Sequence, residues 1–96
     1  MSYSEKQIEH ALTLMVKARG GIAPKFVSPC FAGMPDRLVL LPGGVFAFAE
    51  LKAHGMKPRP LQVARHRLLK DLGFKVYVID GIEQIEEVLN ELAEQE

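Results

Sequence analysis

The segment Val45-Phe46-Ala47-Phe48-Ala49-Glu50-Leu51-Lys52 constrains this chain more than any other stretch. Successive side chains of an extended strand point to opposite faces, so Val45, Ala47, Ala49 and Leu51 share one face and Phe46, Phe48, Glu50 and Lys52 the other. Both faces are apolar at the start, which suits a central strand covered on both sides by other elements. The strand then ends with a carboxylate and an ammonium side by side on one face. A chain of 96 residues with 48% hydrophobic content has room for one domain, spanning 1–96, whose core is thin. Either both faces of the sheet are covered, or some apolar surface is kept for a partner.

The rest of the chain supplies the cover. Ser4 is placed to cap a helix over 4–18, where Ile8, Ala11, Leu12 and Met15 recur at helical spacing before Gly20-Gly21. Residues 22–28 predict a short strand, placed at an edge because Pro24 cannot donate to a ladder. A loop over 29–35 leads to an apolar strand, Arg37 to Leu41, and Pro42-Gly43-Gly44 turns the chain into the central strand. After a loop over 53–59, Pro60 suits the first turn of a helix running to about Leu72 and closed by Gly73. Phe74 to Ile79 predicts a further strand. Ile82, Ile85, Leu89 and Leu92 mark an acidic amphipathic helix. The expected fold is α/β in the order αβββαβα: a mixed four-stranded sheet in which the 60–72 helix crosses over to a parallel fourth strand.

Net charge is zero, but the charges are not mixed along the chain. Residues 17–75 hold eleven Lys and Arg against three Asp and Glu, whereas residues 76–96 hold seven acids and no Lys or Arg. This separation permits a positive surface for a phosphate backbone beside an acidic helix that faces elsewhere. Cys30 is the sole cysteine and cannot form an internal disulfide. Residues 4–17 carry charge throughout and do not read as a signal peptide, and no apolar run approaches the ~20 residues of a membrane span. A cytoplasmic protein is expected.

The chemistry concentrates where the central strand ends. Glu50 and Lys52 share a face with alpha carbons roughly 6.5–7 Å apart. If the preceding turn is centred on Gly43, Asp36 lies opposite Glu50, with beta carbons about 4.5–5.5 Å apart. A two-residue turn at Gly43-Gly44 would instead pair Asp36 with Leu51 and send it to the other face. Two carboxylates that close repel unless one is protonated or a cation lies between them. Mg²⁺ accepts such oxygen ligands while keeping several waters. A lysine alongside can hold a water for attack on a phosphodiester. Against this stands the ordinary fate of a Glu-x-Lys pair, a solvated strand end.

The ordered set Gly33-Met34-Pro35-Asp36, then Glu50-Leu51-Lys52 after a Gly-Gly hairpin, then Pro60-Leu61-Gln62 opening a helix that ends Leu72-Gly73-Phe74, resembles the virus-type replication-repair nuclease (VRR-NUC) domain of the PD-(D/E)xK superfamily. The likeness covers roughly residues 4–81. It implies a restriction-endonuclease-like αβββαβ core and a metal-dependent deoxyribonuclease using Mg²⁺, or Mn²⁺. It further implies that Asp36, Glu50 and the Leu51 backbone carbonyl ligate the metal, that Lys52 positions the attacking water, and that Gln62 supports the site. A first-helix acid completes the family's set; Glu5 is the choice here and Glu9 the alternative. Lys25, Arg37, His54, Lys57, Arg59 and Arg65 are candidate DNA contacts. His10 and His66 lack metal-ligand spacing, and Phe46 and Phe48 read as core.

Short stand-alone members of the family resemble phage proteins that cut four-way (Holliday) junctions as homodimers, which points to a bacterial or phage-encoded DNA-repair nuclease. A twofold dimer would hold two active sites at a fixed distance, with the edge segment 22–28 and the apolar faces of the terminal helices as surfaces to share. Two other readings stand beside it: an inactive DNA-binding or recombination accessory module with the same fold, and a small domain that dimerises through its acidic helix.

Overall fold

The computed structural model describes residues 2–94. Helix α1 (Glu5–Ala18) begins with a reciprocal cap, in which Ser4 Oγ accepts from the Gln7 N–H at 3.1 Å and Gln7 Oε1 accepts from the Ser4 N–H at 2.9 Å. Ile8, Leu12 and Val16 recur every four residues and are fully buried. Strand β1 (Arg37–Leu41) is joined to β2 (Val45–Leu51) by the turn Pro42–Gly44, whose Gly43 takes φ +83°, a conformation glycine adopts without cost. Helix α2 (Pro60–Asp71), strand β3 (Val76–Ile79) and helix α3 (Glu83–Ala93) complete the order.

The turn sets the register. Leu41 faces Val45 and Arg37 faces Ala49, as a turn centred on Gly43 requires. One further step along that register brings Asp36 opposite Glu50. The two-residue turn is thereby excluded. On its other side β2 pairs in parallel with β3, Glu50 opposite Val78, with α2 as the crossover.

The sheet has three strands among the described residues, in the order β1-β2-β3, and not the four expected. Residues 22–26 do run antiparallel along the free edge of β1. Ile22 and Leu40 exchange both backbone bonds, the Pro24 carbonyl accepts from the Leu38 N–H, and the Phe26 N–H donates to the Asp36 carbonyl. Only the isolated bridges Ile22↔Leu40 and Lys25↔Arg37 form, because Pro24 has no N–H to return to Leu38. The last strand also starts later than expected, at Val76.

Both faces of the sheet are covered. Helices α1 and α3 pack on the face of Val39, Ala47, Ala49, Leu51 and Ile79, using Ile8, Leu12 and Val16 from α1 and Ile85, Leu89 and Leu92 from α3. The apolar faces of the two terminal helices are therefore spent in the core, and the expectation that they face a partner is corrected. Helix α2 covers the other face, where Leu69 meets Phe48 and Val76. Phe48 stands edge-to-face with Phe46 at 4.9 Å, Phe74 at 5.8 Å and Phe26 at 6.0 Å, so these aromatics hold the core. The acidic α3 and the basic α2 thus lie on opposite faces, and folding preserves the separation of charge seen along the chain.

The loop before Asp36 is docked on α2. Arg65 Nε donates to the Ala32 carbonyl at 2.8 Å, and its guanidinium stacks 3.9 Å from the Phe31 ring centroid. Gly33, at φ +88°, lies so close to the helix that a Cβ there would come within 2.8 Å of Leu61 Cγ. This close seating fixes where Asp36 enters the sheet.

Candidate active site

The site forms where β2 leaves the core. Glu50 is the last charged residue of the strand, only 2% exposed, on the face covered by α2. Gln62, in the first turn of α2, donates from Nε2 to Glu50 Oε2 at 3.1 Å. Its own Oε1 accepts from the Arg59 N–H at 2.8 Å, so the start of the helix is capped and the amide orientation is fixed by one side chain. Lys52 Nζ stands 3.8 Å from the same Glu50 oxygen. The Lys52 N–H donates to the Ile79 carbonyl, which carries the sheet one residue past the strand's end.

Asp36 approaches from the start of β1, half-buried. Its Oδ1 accepts from the Leu51 N–H at 3.2 Å. The N–H and C=O of one extended residue project to the same side of a strand, so the Leu51 carbonyl points toward the Asp36 side, past the beginning of β1. Burial holds the Asp36 carboxyl above its usual range, the Leu51 N–H opposes this, and Glu5 adds to it. Glu50 is raised further, to about 7, first by burial and then by repulsion from Asp36, with Lys52 pulling the other way and Glu5 adding repulsion. Glu5 therefore lies within electrostatic reach of both carboxylates.

The alternative first-helix acid is committed elsewhere. Glu9 Oε2 lies 3.0 Å from Arg37 Nη2, and that hydrogen bond lowers the Glu9 pKa. Arg37 is itself buried, with Nη1 donating to the Ala23 carbonyl. Of the candidate DNA contacts, Arg37 is drawn inward: its guanidinium ties α1 and the 22–26 segment to β1. Arg65 is half-buried and engaged in docking the loop. Lys25, His54, Lys57 and Arg59 are exposed. Lys25 lines a shallow depression with Glu5 and Asp36, and Arg59 is close enough to lower the Glu50 pKa. The loop bearing His54 and Lys57 is pinned by the His54 N–H to the Tyr3 carbonyl and by the Gly55 N–H to Asp80 Oδ2.

One residue at the site escaped the sequence reading. His66 is buried, with Nε2 lying 3.5 Å from Glu50 Oε1. Both atoms are buried without a hydrogen-bond partner. Burial lowers the His66 pKa and raises that of Glu50, each toward its uncharged form. The signal was present in the chain: Gln62 and His66 are four apart, hence on one helical face, and Leu69 extends that face into the core.

The donor set fits a hard divalent cation. Among the described residues no three His, Cys, Asp or Glu side chains stand close enough to cage an ion by themselves. Mg²⁺ does not require such a cage, since one or two carboxylates, waters and substrate phosphates suffice. The Glu50 and Asp36 carboxylates repel one another, so a cation between them would relieve that penalty.

No protein-family model matches the chain. Among curated proteins it is 51% identical over 77 residues to the protein named "Putative nuclease p44" of Acyrthosiphon pisum secondary endosymbiont phage 1, a match covering 80% of this chain and 83% of that protein. Among solved structures, one described as a VRR_NUC domain superposes with a TM-score of 0.85 at 28% identity, covering 92% of this chain and 97% of the other.

Proposed function

Because the chain belongs to the VRR-NUC family, we propose that it is a metal-dependent, structure-specific DNA endonuclease that cuts branched DNA, four-way junctions included, as a homodimer. The observation that carries this reading is the meeting of Asp36, Glu50 and Lys52 at the end of β2, with the two carboxylates close enough to repel one another.

Asp36, Glu50 and the Leu51 carbonyl would hold Mg²⁺, with Mn²⁺ as a substitute. The bound cation would supply the positive charge that offsets charge building on the phosphate and would make water a better nucleophile. Lys52, on the same strand face as Glu50, orients the attacking water and adds a second positive charge at the reacting phosphate. Gln62 fixes the Glu50 carboxylate in one rotamer. Lys25, Lys57 and Arg59, exposed around the site, track the backbone on either side of the scissile bond. Glu5 stands at the mouth of the site, where its charge strengthens the demand for a cation.

The homodimer reading is supported by the open edge along residues 22–26, where Ile22 is 61% exposed, and by Leu14, 53% exposed on the outer face of α1. Light scattering at micromolar concentration is expected to return twice the chain mass. The substrate reading is tested on a panel of duplex, flap, single-stranded and four-way-junction DNA, with Mg²⁺, Mn²⁺ or EDTA. Paired symmetric cuts in the junction with either metal, and none with EDTA, are expected. DNA binding without cleavage of any substrate would favour an inactive accessory module instead.

Binding should also be steeply salt-dependent, because each Lys or Arg that neutralises a phosphate releases counterions from the backbone. Reversing Lys57 or Arg59 to Glu is expected to weaken DNA binding and to lower the slope of log affinity against log salt by about one for each phosphate left unneutralised. Arg37→Met should lower the melting temperature and leave that slope unchanged. An equal slope in all three variants would remove Lys57 and Arg59 from the interface.

A further inference from the structure

We infer that His66 is a positioning residue for Glu50, its imidazole holding Oε1 while Gln62 holds Oε2, so that one face of α2 fixes both oxygens of the carboxylate proposed to bind metal. The inference rests on the nuclease reading and extends it to a residue that reading does not use.

Gln62 and His66 sit one helical turn apart on the buried face of α2, 7% and 6% exposed. Gln62 already makes its bond to Oε2 at 3.1 Å. His66 Nε2 lies 3.5 Å from Oε1, slightly beyond the usual N–H···O range of about 2.7–3.2 Å. Neither atom has another hydrogen-bond partner. A buried polar atom without a partner is costly, so a small rotation of the ring that closes this gap satisfies two atoms at once. With the proton on Nε2, the ring donates and Oε1 accepts. His66 also borders a surface groove with Pro58, Val63 and Val78, which leaves the ring room for such a rotation. The carboxylate is then gripped from the helix side, and its remaining lone pairs are left for the cation.

Groups that orient metal ligands typically contribute about 10–100-fold in metal affinity. The test is Mg²⁺ and Mn²⁺ binding by calorimetry to the wild type, His66→Leu and His66→Gln, with a metal-free melting curve for each. Leu fills space without a donor; Gln keeps an N–H donor. His66→Leu is expected to bind both metals about 10–100-fold more weakly, with His66→Gln recovering most of the loss. If His66→Leu fails to fold, His66→Ala takes its place in the comparison. Wild-type affinity in the donorless variant, or no recovery with Gln, would overturn the positioning role. Loss confined to Mn²⁺ would make His66 a direct ligand and overturn it equally. A wild-type protein that binds neither metal would instead strike the nuclease reading itself, and the two failures are thereby told apart.

Discussion

Asp36→Ala and Glu50→Gln are expected to lower Mg²⁺-dependent DNA cleavage by at least about 100-fold, the scale on which a single charge-stabilising group at a reacting centre acts. Each removes one of the two carboxylates that meet at the end of β2, so the cation loses an anchor. Metal-free DNA binding should persist or improve in both, since a negative charge facing the phosphates is gone. Lys52→Ala should lose cleavage to a similar degree while keeping its metal affinity, because Lys52 belongs to the chemistry and not to the ligand set. Single-turnover cleavage together with metal titration separates the cases. Normal cleavage by either carboxylate variant would place the site elsewhere.

The second large effect is on stability, and its sign follows from burial. The Glu50 pKa is raised from 4.5 to about 7 in the folded chain, first by desolvation and then by Asp36. A carboxyl raised on folding contributes stability that is fully present below pH 4.5 and is lost as the pH rises through about 7. That interval corresponds to roughly 3 kcal/mol. Metal-free Glu50→Gln, which cannot ionise, should therefore melt higher than wild type at pH 8. The gap should narrow on acidification and close below pH 4.5, the ordinary value of the carboxyl. Melting curves in EDTA across this range check it. A variant less stable than wild type at pH 8, or a gap independent of pH, would mean that Glu50 is not buried as an unneutralised carboxylate.

Much of this site could be read along the chain because its parts are local. The alternation of Val45–Lys52 placed Glu50 and Lys52 on one face, and of the two turns the chain allowed, the structure takes the Gly43-centred one that brings Asp36 to them. Pro60 announced the start of α2 in the same way. What escaped depends on contacts between distant residues. His66 resembled a stray histidine until α2 was laid across the sheet and its buried face met Glu50. Arg37 resembled a surface cation at a strand start, yet Glu9 and the Ala23 carbonyl draw it inward. Glu9, the alternative first-helix acid, is held by the same ion pair. The edge segment 22–26 follows the β1 ladder but falls short of a strand for want of one N–H at Pro24.

Whether Asp36 and Glu50 share one cation is tested most directly by a Mg²⁺-dependent melting curve at pH 8. A ligand that binds only the folded state stabilises it by about 2.7 kcal/mol at a hundredfold excess over Kd. Relief of the repulsion between the carboxylates is part of what drives that binding. The wild-type melting temperature should climb as Mg²⁺ is added, while Asp36→Ala and Glu50→Gln should show little or no rise. A rise in Asp36→Ala equal to that of the wild type would contradict the shared site.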